Sequence, residues 1–237
     1  MERWERLKPG GLRFVWTEGQ FPPGLDSFLL SSLPRLKPGL RVCDLGCGTG
    51  LLSLLLLQRQ PELRVTGLDI QPEAVRLAGL AAGENGLEDR LRFCLGDLRE
   101  PVLPAGAYDL VICNPPYYPP GSGPLPREEA RRAARTEWAC TLEDVCRAAA
   151  RLLRWGGALC LVHKPERLTD LLCTLRGTGL EPKRLRLVSP RPEAAPSLLL
   201  LEARRGGRPG LALEPPLLQE APGGGPSAEL DRIYFRS

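Results

Sequence analysis

The chain has 237 residues, of which 43% are hydrophobic and 25% charged, and its formal net charge is +4. This length and balance predict one soluble domain with at most a small appendage, and the mild positive charge only weakly suggests an anionic partner. Residues 1–10 are charged and interrupted by Pro9, and the leucine run 51–57 is too short for a bilayer, so we expect neither secretion nor membrane insertion.

The cysteines and the histidine limit which metal sites and catalytic mechanisms the chain can support. None of the eight cysteines forms a C-x-x-C pair, and most lie in apolar runs such as LVIC and ALCLV, which favours reduced core thiols in a cytoplasmic protein. His163 is the single histidine, so we expect no metal site, and a Ser/His/Asp hydrolase would depend on that one ring. We interpret His163 as a packing or surface residue.

Beyond residue 39, apolar runs of strand length alternate with helical segments. The predicted strands are LRVCDL, RVTGLDI, RLRFCLGDL, YDLVIC, ALCLVHK, KRLRLVSP and SLLLLEARR. The predicted helices are TGLLSLLLLQRQ, QPEAVRLAGLAAGENG, a segment from Arg127 that ends at Gly156 and Gly157, and PERLTDLLCTLRGTG. This pattern predicts a doubly wound α/β fold, Rossmann-like, with a mostly parallel seven-stranded sheet and an antiparallel C-terminal strand.

The predicted domain organisation has three parts. Residues 40–205 form the α/β domain, and residues 1–39 form an extension that contains GLDSFLL and covers the ligand mouth. Residues 206–237 are rich in Pro and Gly, with APGGGPSAE as a mobile link before ELDRIYF. We expect a monomer.

The carboxyl ends of four predicted strands carry polar residues: Asp44, Asp69, Asp97 and Asn114. Because ligands of such folds lie beyond the carboxyl ends of the strands, we expect these side chains to converge at one edge. This edge is therefore the candidate site.

The loop DLGCGTG follows the first of these strands. Gly46, Gly48 and Gly50 form G-x-G-x-G around Cys47, whereas the dinucleotide fingerprint requires G-x-G-x-x-G. Glycines let the backbone approach a ligand closely, so the loop alone leaves nicotinamide binding and sulfonium-nucleoside binding both open. No lysine follows in the Walker position, which argues against phosphate transfer.

The next two strand ends complete a predicted nucleoside pocket. Asp69, followed by Ile70, is placed to accept hydrogen bonds from ribose hydroxyls. Asp97 is placed to accept an adenine amino proton, while the backbone of Leu98 donates.

The fourth strand ends at residues 114–117, the predicted catalytic corner, whose polar groups suit a reaction of an amino group. The side-chain carbonyl of Asn114 and the backbone carbonyl of Pro115, held by the fixed φ angles of Pro115 and Pro116, can accept the two protons of a planar NH₂ group. Tyr117 can stack on the ring that carries this group. A methylsulfonium is the electrophile required, and the chemistry needs no metal.

In order, DLGCGTG, Asp69, GDL and NPPYY resemble the class I S-adenosylmethionine-dependent amino-methyltransferases. With GLDSFLL, ARTEWACTLEDV, GGALCLVHKPERL and the closing IY, most of the chain is similar to the tRNA1(Val) adenine-N6 methyltransferase family. The resemblance implies S-adenosylmethionine bound by Asp44, Gly46, Gly48, Asp69 and Asp97, with Asn114 to Tyr117 catalytic. It also implies that Asp26 lies near the methyl donor and that Arg135 and Glu137 lie over the substrate side. The chain has Thr136 where the family often has histidine, so this position carries no imidazole that could act as a base.

A tRNA substrate gives the arginine-rich segment after the corner a function. Arg127, Arg131, Arg132 and Arg135 then contact phosphates, and a stacked adenine must flip into the pocket. The alternatives are another amino-group acceptor, namely guanine N2, DNA adenine N6 or protein glutamine, and an inactive cofactor-binding scaffold. With only 43 residues before Asp44, there is little room for the helical substrate domain of glutamine methyltransferases.

Overall fold

The computed structural model describes residues 1–18, 24–115 and 140–236. The strands are β1 (Arg3–Arg6), β2 (Arg13–Trp16), β3 (Arg41–Leu45), β4 (Arg64–Asp69), β5 (Leu91–Leu95), β6 (Tyr108–Cys113), β7 (Leu153–His163), β8 (Leu180–Ser189), β9 (Leu198–Arg205), β10 (Ala212–Leu213) and β11 (Leu217–Leu218). The helices are α1 (Leu25–Ser31), α2 (Leu51–Arg59), α3 (Pro72–Glu84), α4 (Leu142–Leu152), α5 (Leu168–Gly177) and α6 (Ala228–Ile233), with a 3₁₀ turn (Pro165–Arg167) before α5.

The central sheet has the order β10-β8-β9-β7-β6-β3-β4-β5, and β11 also pairs with β8. Strands β5, β4, β3, β6 and β7 are parallel, while β9 is antiparallel to both of its neighbours, β7 and β8. The predicted α/β sheet with its antiparallel C-terminal strand is therefore confirmed. The two-residue strands β10 and β11 extend the seven predicted strands to nine.

Two apolar cores lie on opposite faces of this sheet. Strand β9 shows how they arise, because Leu198 and Leu200 face one core while Leu199 and Leu201 face the other. A strand covered on both faces has no polar side, which explains its unbroken leucine run. Helices α1, α2 and α3 cover the first face, and α4 and α5 cover the second. Full burial of a leucine is worth about 2 kcal/mol, so these layers supply most of the stabilisation.

The boundary between α4 and β7 differs from the prediction. Helix α4 begins with a capping box, in which Thr141 and Asp144 accept each other's backbone N–H, and it ends at Leu152 instead of at Gly156 and Gly157. Leu153 turns into extended backbone and pairs with β6, with a register shift in the ladder before the regular pairing resumes. Residues 153–157, which the glycine stop signals assigned to the helix, therefore belong to the strand that pairs with β6.

The two terminal regions pack against the α/β domain. The β1–β2 hairpin lies along α3, where the Arg13 N–H donates to Asn85 Oδ1 at 2.8 Å and Asn85 Nδ2 donates back to the Arg13 carbonyl at 2.7 Å. At the other end, the expected mobile link contains a hydrogen-bonded turn, because the Ala221 N–H donates to the Gly225 carbonyl at 2.9 Å. Helix α6 follows this turn.

All eight cysteines are free, and five of them are buried in the cores, as their apolar contexts indicated: Cys43, Cys47, Cys113, Cys146 and Cys160. Burial raises the pKa of these thiols, so they remain protonated. Within 1–18, 24–115 and 140–236, no helix combines the length and the apolar character needed to cross a bilayer.

Candidate functional site

The site lies at the carboxyl edge of the parallel strands. The chain leaves β3 toward β4 and β5 on one side, whereas β6 and β7 lie on the other side, so the strand order reverses between β3 and β6. A crevice forms at such a switch point because the connections leave in opposite directions. Asp44 lies in β3 and Asp69 ends β4, while Asn114 follows β6 directly. These three predicted positions therefore share one edge.

The glycine turn between β3 and α2 adopts a conformation that requires glycine. Gly46 and Gly48 have φ values of +69° and +53°, and a Cβ atom at either position would meet no atom within 4 Å. Because the space beside these glycines is empty, the backbone conformation of the turn requires glycine there, whereas close packing does not. The outer face of the turn is therefore accessible. Gly50, with φ +81°, has a second reason, because its Cβ would lie 2.7 Å from the Phe93 ring. Cys47, between them, points into the core and is 7% exposed.

Asp69 fixes the glycine turn from the neighbouring strand. Its carboxylate accepts the Gly48 N–H at 2.8 Å through Oδ2 and the Gln71 N–H at 2.9 Å through Oδ1. Burial raises the pKa of this carboxyl group, although the backbone hydrogen bonds act in the opposite direction. Ile70, the next residue, is half-buried. The carboxylate that was predicted to bind ribose thus orders the loop, and its ribose role stays a prediction.

Asp44 is held inside the domain instead of facing solvent. It is 1% exposed, and Ser53 Oγ of α2 donates to its Oδ2 at 2.7 Å. Burial raises the pKa of Asp44 to about 7; the Ser53 hydrogen bond lowers it and the negative charge of Asp69 raises it further. Ser53 was not among the predicted residues. Its signal in the sequence is a single hydroxyl in the leucine run LLSLLLL, where a buried polar group needs a partner.

Asp97 lies just beyond β5 and is more exposed than the other two carboxylates. Its partner is Arg99, whose backbone N–H donates to Oδ1 at 2.9 Å and whose Nε donates to both oxygens. The Arg99 hydrogen bonds hold the pKa of Asp97 below its usual range. A ligand amino group at this carboxylate would therefore share it with Arg99. Leu98 is half-buried beside it.

Asn114 lies beside the first turn of α1, and Pro115 follows it. Asn114 is half-buried and its Nδ2 donates to Ser27 Oγ at 3.4 Å, while Pro115 is buried. Ser27 is 8% exposed and follows Asp26, which was predicted to lie near the methyl donor. Of the amino-terminal extension, α1 therefore reaches the predicted catalytic corner. Ser27 was missed, because nothing local in GLDSFLL singles out its contact.

The remaining predicted site residues lie outside the described residues. These are Pro116, Tyr117, Arg127, Arg131, Arg132, Arg135, Thr136 and Glu137, and their assigned roles stay predictions. His163 is 2% exposed at the end of β7, and its Nδ1 accepts the Lys164 N–H at 2.8 Å, as expected of a packing residue. In the portion of the chain that the structure describes, no three His, Cys, Asp or Glu side chains form a potential metal site.

The sheet order, with β9 inserted antiparallel between β7 and β8, is the architecture of the class I methyltransferases. A solved structure from Agrobacterium tumefaciens, described as a predicted O-methyltransferase, shares this fold. It superposes with a TM-score of 0.74 over 90% of this chain and 97% of the other, at 23% sequence identity. The sequence model of the methyltransferase small domain matches residues 13–172.

Two curated relatives share the name tRNA1(Val) (adenine(37)-N6)-methyltransferase. The one from Tolumonas auensis is 34% identical over 77% of this chain and 76% of its own length. The one from Porphyromonas gingivalis strain W83 is 34% identical over 68% of this chain, which spans 64% of that relative. The chain belongs to the methyltransferase small-domain family and, within it, to the family of these tRNA1(Val) adenine-N6 methyltransferases.

Proposed function

We propose that this chain transfers a methyl group from S-adenosylmethionine to the exocyclic N6 of an adenine in tRNA. The observation that carries the proposal is the position of Asn114 and Pro115, across the β3–β6 switch point from the glycine turn. One side of the crevice thus offers a backbone cradle, and the other offers amide and peptide carbonyls. The relatives named above act, by their names, on adenine 37 of tRNA1(Val), which supports the same nucleotide here.

The cofactor side matches the chemistry of a sulfonium nucleoside. S-adenosylmethionine supplies an electrophilic methyl group when bound. The open face of the Gly46–Gly48 turn admits close backbone approach, and Asp69 places carboxylate oxygens beside that turn. We assign Asp69 to the ribose hydroxyls and Asp97, with Leu98, to the adenine end. Asp44 lies behind the turn and stabilises it through Ser53.

The acceptor side positions an amino group without an acid or a metal. Because Asn114 Nδ2 donates to Ser27, the side-chain carbonyl of Asn114 is directed away from Ser27. We assign this carbonyl and the Pro115 carbonyl to the two protons of the adenine NH₂ group. Holding both protons reduces conjugation of the nitrogen lone pair with the ring and aims it at the methyl group. After transfer, the nitrogen loses one proton to solvent.

The RNA side of the proposal concerns the segment that follows Pro115. We assign Tyr117 to stacking on the flipped adenine, and the four arginines of 127–135 to phosphate contacts near the site. Thr136 supplies no imidazole base, and the mechanism above needs none. With tRNA as its substrate, the protein acts in the cytoplasm.

Incubation with methyl-labelled S-adenosylmethionine tests the proposal. Separate reactions receive unmodified tRNA1(Val) transcript, total tRNA, ribosomal RNA, DNA and protein, and the labelled nucleosides are identified after digestion. We expect N6-methyladenosine in tRNA and no label elsewhere. A transcript with guanosine in place of adenosine 37 is the matched control. Label in protein or DNA without label in tRNA would refute the proposal. Label on guanosine instead of adenosine would show that the acceptor is the guanine N2 amino group.

A further inference from the structure

Helix α1 carries two of the site residues, Asp26 and Ser27, in its first turn, whereas the apolar side chains that anchor it in the core, Leu29 and Leu30, lie in its second turn. It has 7 residues, and Gly24 at its amino-terminal cap provides no side-chain hydrogen bond. Isolated helices of this length are unstable in water, so packing must determine where α1 lies. The geometry at Asn114 therefore depends on whatever contacts α1.

The carboxyl-terminal segment contacts the first turn of α1. The Tyr234 ring stacks on Phe28 of α1, with 4.8 Å between ring centroids and 19° between ring planes. The Tyr234 hydroxyl also donates to the Leu25 carbonyl at 3.3 Å. Burial, followed by the negative charge of Asp26, raises the pKa of Tyr234 to about 12, so the hydroxyl stays a donor at neutral pH. Tyr234 thus contacts the same turn of α1 that carries Asp26 and Ser27.

Helix α6, which precedes Tyr234, is itself firmly attached. Arg59 of α2 donates to the Ile233 carbonyl at 2.7 Å and to Ser31 Oγ at 2.9 Å, so one guanidinium joins α1, α2 and α6. On the opposite side, Arg186 of β8 forms a bidentate pair with Glu229, at 2.7 and 2.8 Å. Paired, parallel hydrogen bonds of this kind fix orientation as well as distance. The segment is anchored to the sheet and to α2, and it can therefore support α1.

We propose that Tyr234 is a positioning residue for methyl transfer. It holds the first turn of α1 so that Ser27 keeps the Asn114 amide oriented toward the acceptor amino group. The inference rests on the proposed function for its catalytic consequence, since Tyr234 contacts α1 and not the reacting atoms. Its structural part, the support of α1, is separately measurable.

Replacement of Tyr234 tests the inference. In single-turnover methyl transfer with saturating S-adenosylmethionine and tRNA, Tyr234→Ala is expected to lower the rate about tenfold, because small errors in alignment slow such reactions strongly. Tyr234→Phe keeps the stack and loses only the hydroxyl, so it should recover most of the rate. The matched control is Trp4→Ala, which truncates an aromatic side chain of the β1–β2 hairpin, a terminal segment that packs on α3.

The control separates a positioning role from a general loss of stability. Trp4→Ala and Tyr234→Ala should both lower the melting temperature, but Trp4→Ala should leave the rate unchanged. A double-mutant cycle with Ser27→Ala should be non-additive, because both variants act on Asn114 through α1. Equal rates for Tyr234→Ala and wild type, an equal slowing in Trp4→Ala, or an additive cycle would overturn the inference.

Hydrogen exchange distinguishes failure of this inference from failure of the proposed function. The α1 amides should exchange faster in Tyr234→Ala than in wild type or Trp4→Ala, whatever the substrate is. If wild type modifies no tRNA but α1 loses protection in Tyr234→Ala, the proposed function is wrong and the support of α1 stands. If α1 protection is the same in all three proteins, the inference is wrong even where tRNA is methylated.

Discussion

Replacement of Asp44 by asparagine should change how the stability of the protein depends on pH. The side chain is 1% exposed and accepts a hydrogen bond from Ser53. Asparagine has nearly the same shape, keeps an acceptor for the Ser53 hydroxyl and carries no ionisable group. The substitution therefore removes a titration from the core with little change in packing.

The magnitude follows from the raised pKa of Asp44, about 7 instead of the ordinary 3.8. A group whose pKa is higher in the folded state stabilises the fold at low pH, and this contribution is lost as pH rises toward the folded pKa. The whole difference is worth on the order of 4 kcal/mol, and about 3 kcal/mol of it falls between pH 5 and pH 8. Wild type should lose that stability across the interval, whereas Asp44→Asn should not.

Urea denaturation of both proteins at pH 5 and pH 8 measures this difference. The unfolding free energy of Asp44→Asn relative to wild type should rise by about 3 kcal/mol between the two pH values. Asp97→Asn is the control, because Arg99 holds the pKa of Asp97 below its ordinary value and both states stay ionised over this interval. A difference between Asp44→Asn and wild type that does not change with pH would refute the assignment of a neutral, buried Asp44 at low pH.

Three further predictions concern the proposed activity. Asn114→Ala should slow methyl transfer by on the order of 100-fold, as loss of a positioned polar group does. Calorimetry should show unchanged S-adenosylmethionine affinity, and a variant that keeps the wild-type rate would refute the catalytic role of Asn114. Gly46→Ala and Gly39→Ala both place a Cβ in open space at positive φ and should each cost about 1 kcal/mol of stability, but only Gly46→Ala should weaken cofactor binding. Charge reversal of both Arg131→Glu and Arg132→Glu should weaken tRNA binding without changing cofactor affinity. The slope of the logarithm of the tRNA binding constant against the logarithm of the salt concentration should become shallower by about 2. Unchanged tRNA affinity would show that these arginines do not contact the RNA.

The sequence by itself determined the parallel sheet and the edge where the site lies. Strands covered on both faces are mostly apolar, so Asp69 and Asn114, the polar residues at which the apolar runs end, mark where β4 and β6 reach the ligand edge. The glycine turn was equally readable, because Gly46 and Gly48 need backbone conformations that other residues avoid. These signals are local, and each is complete within a few residues.

Only the tertiary structure decided which distant segments support the site. Ser27 and Asn114 are 87 residues apart, and Tyr234 lies 209 residues from the Leu25 carbonyl to which it donates. The end of α4 at Leu152 likewise depended on pairing with β6, which outweighed the glycine signals. Such contacts form because buried faces and polar groups must find partners anywhere along the chain. The local sequence pattern indicates that a buried face or polar group needs a partner, and the packing of the whole fold determines which residue that partner is.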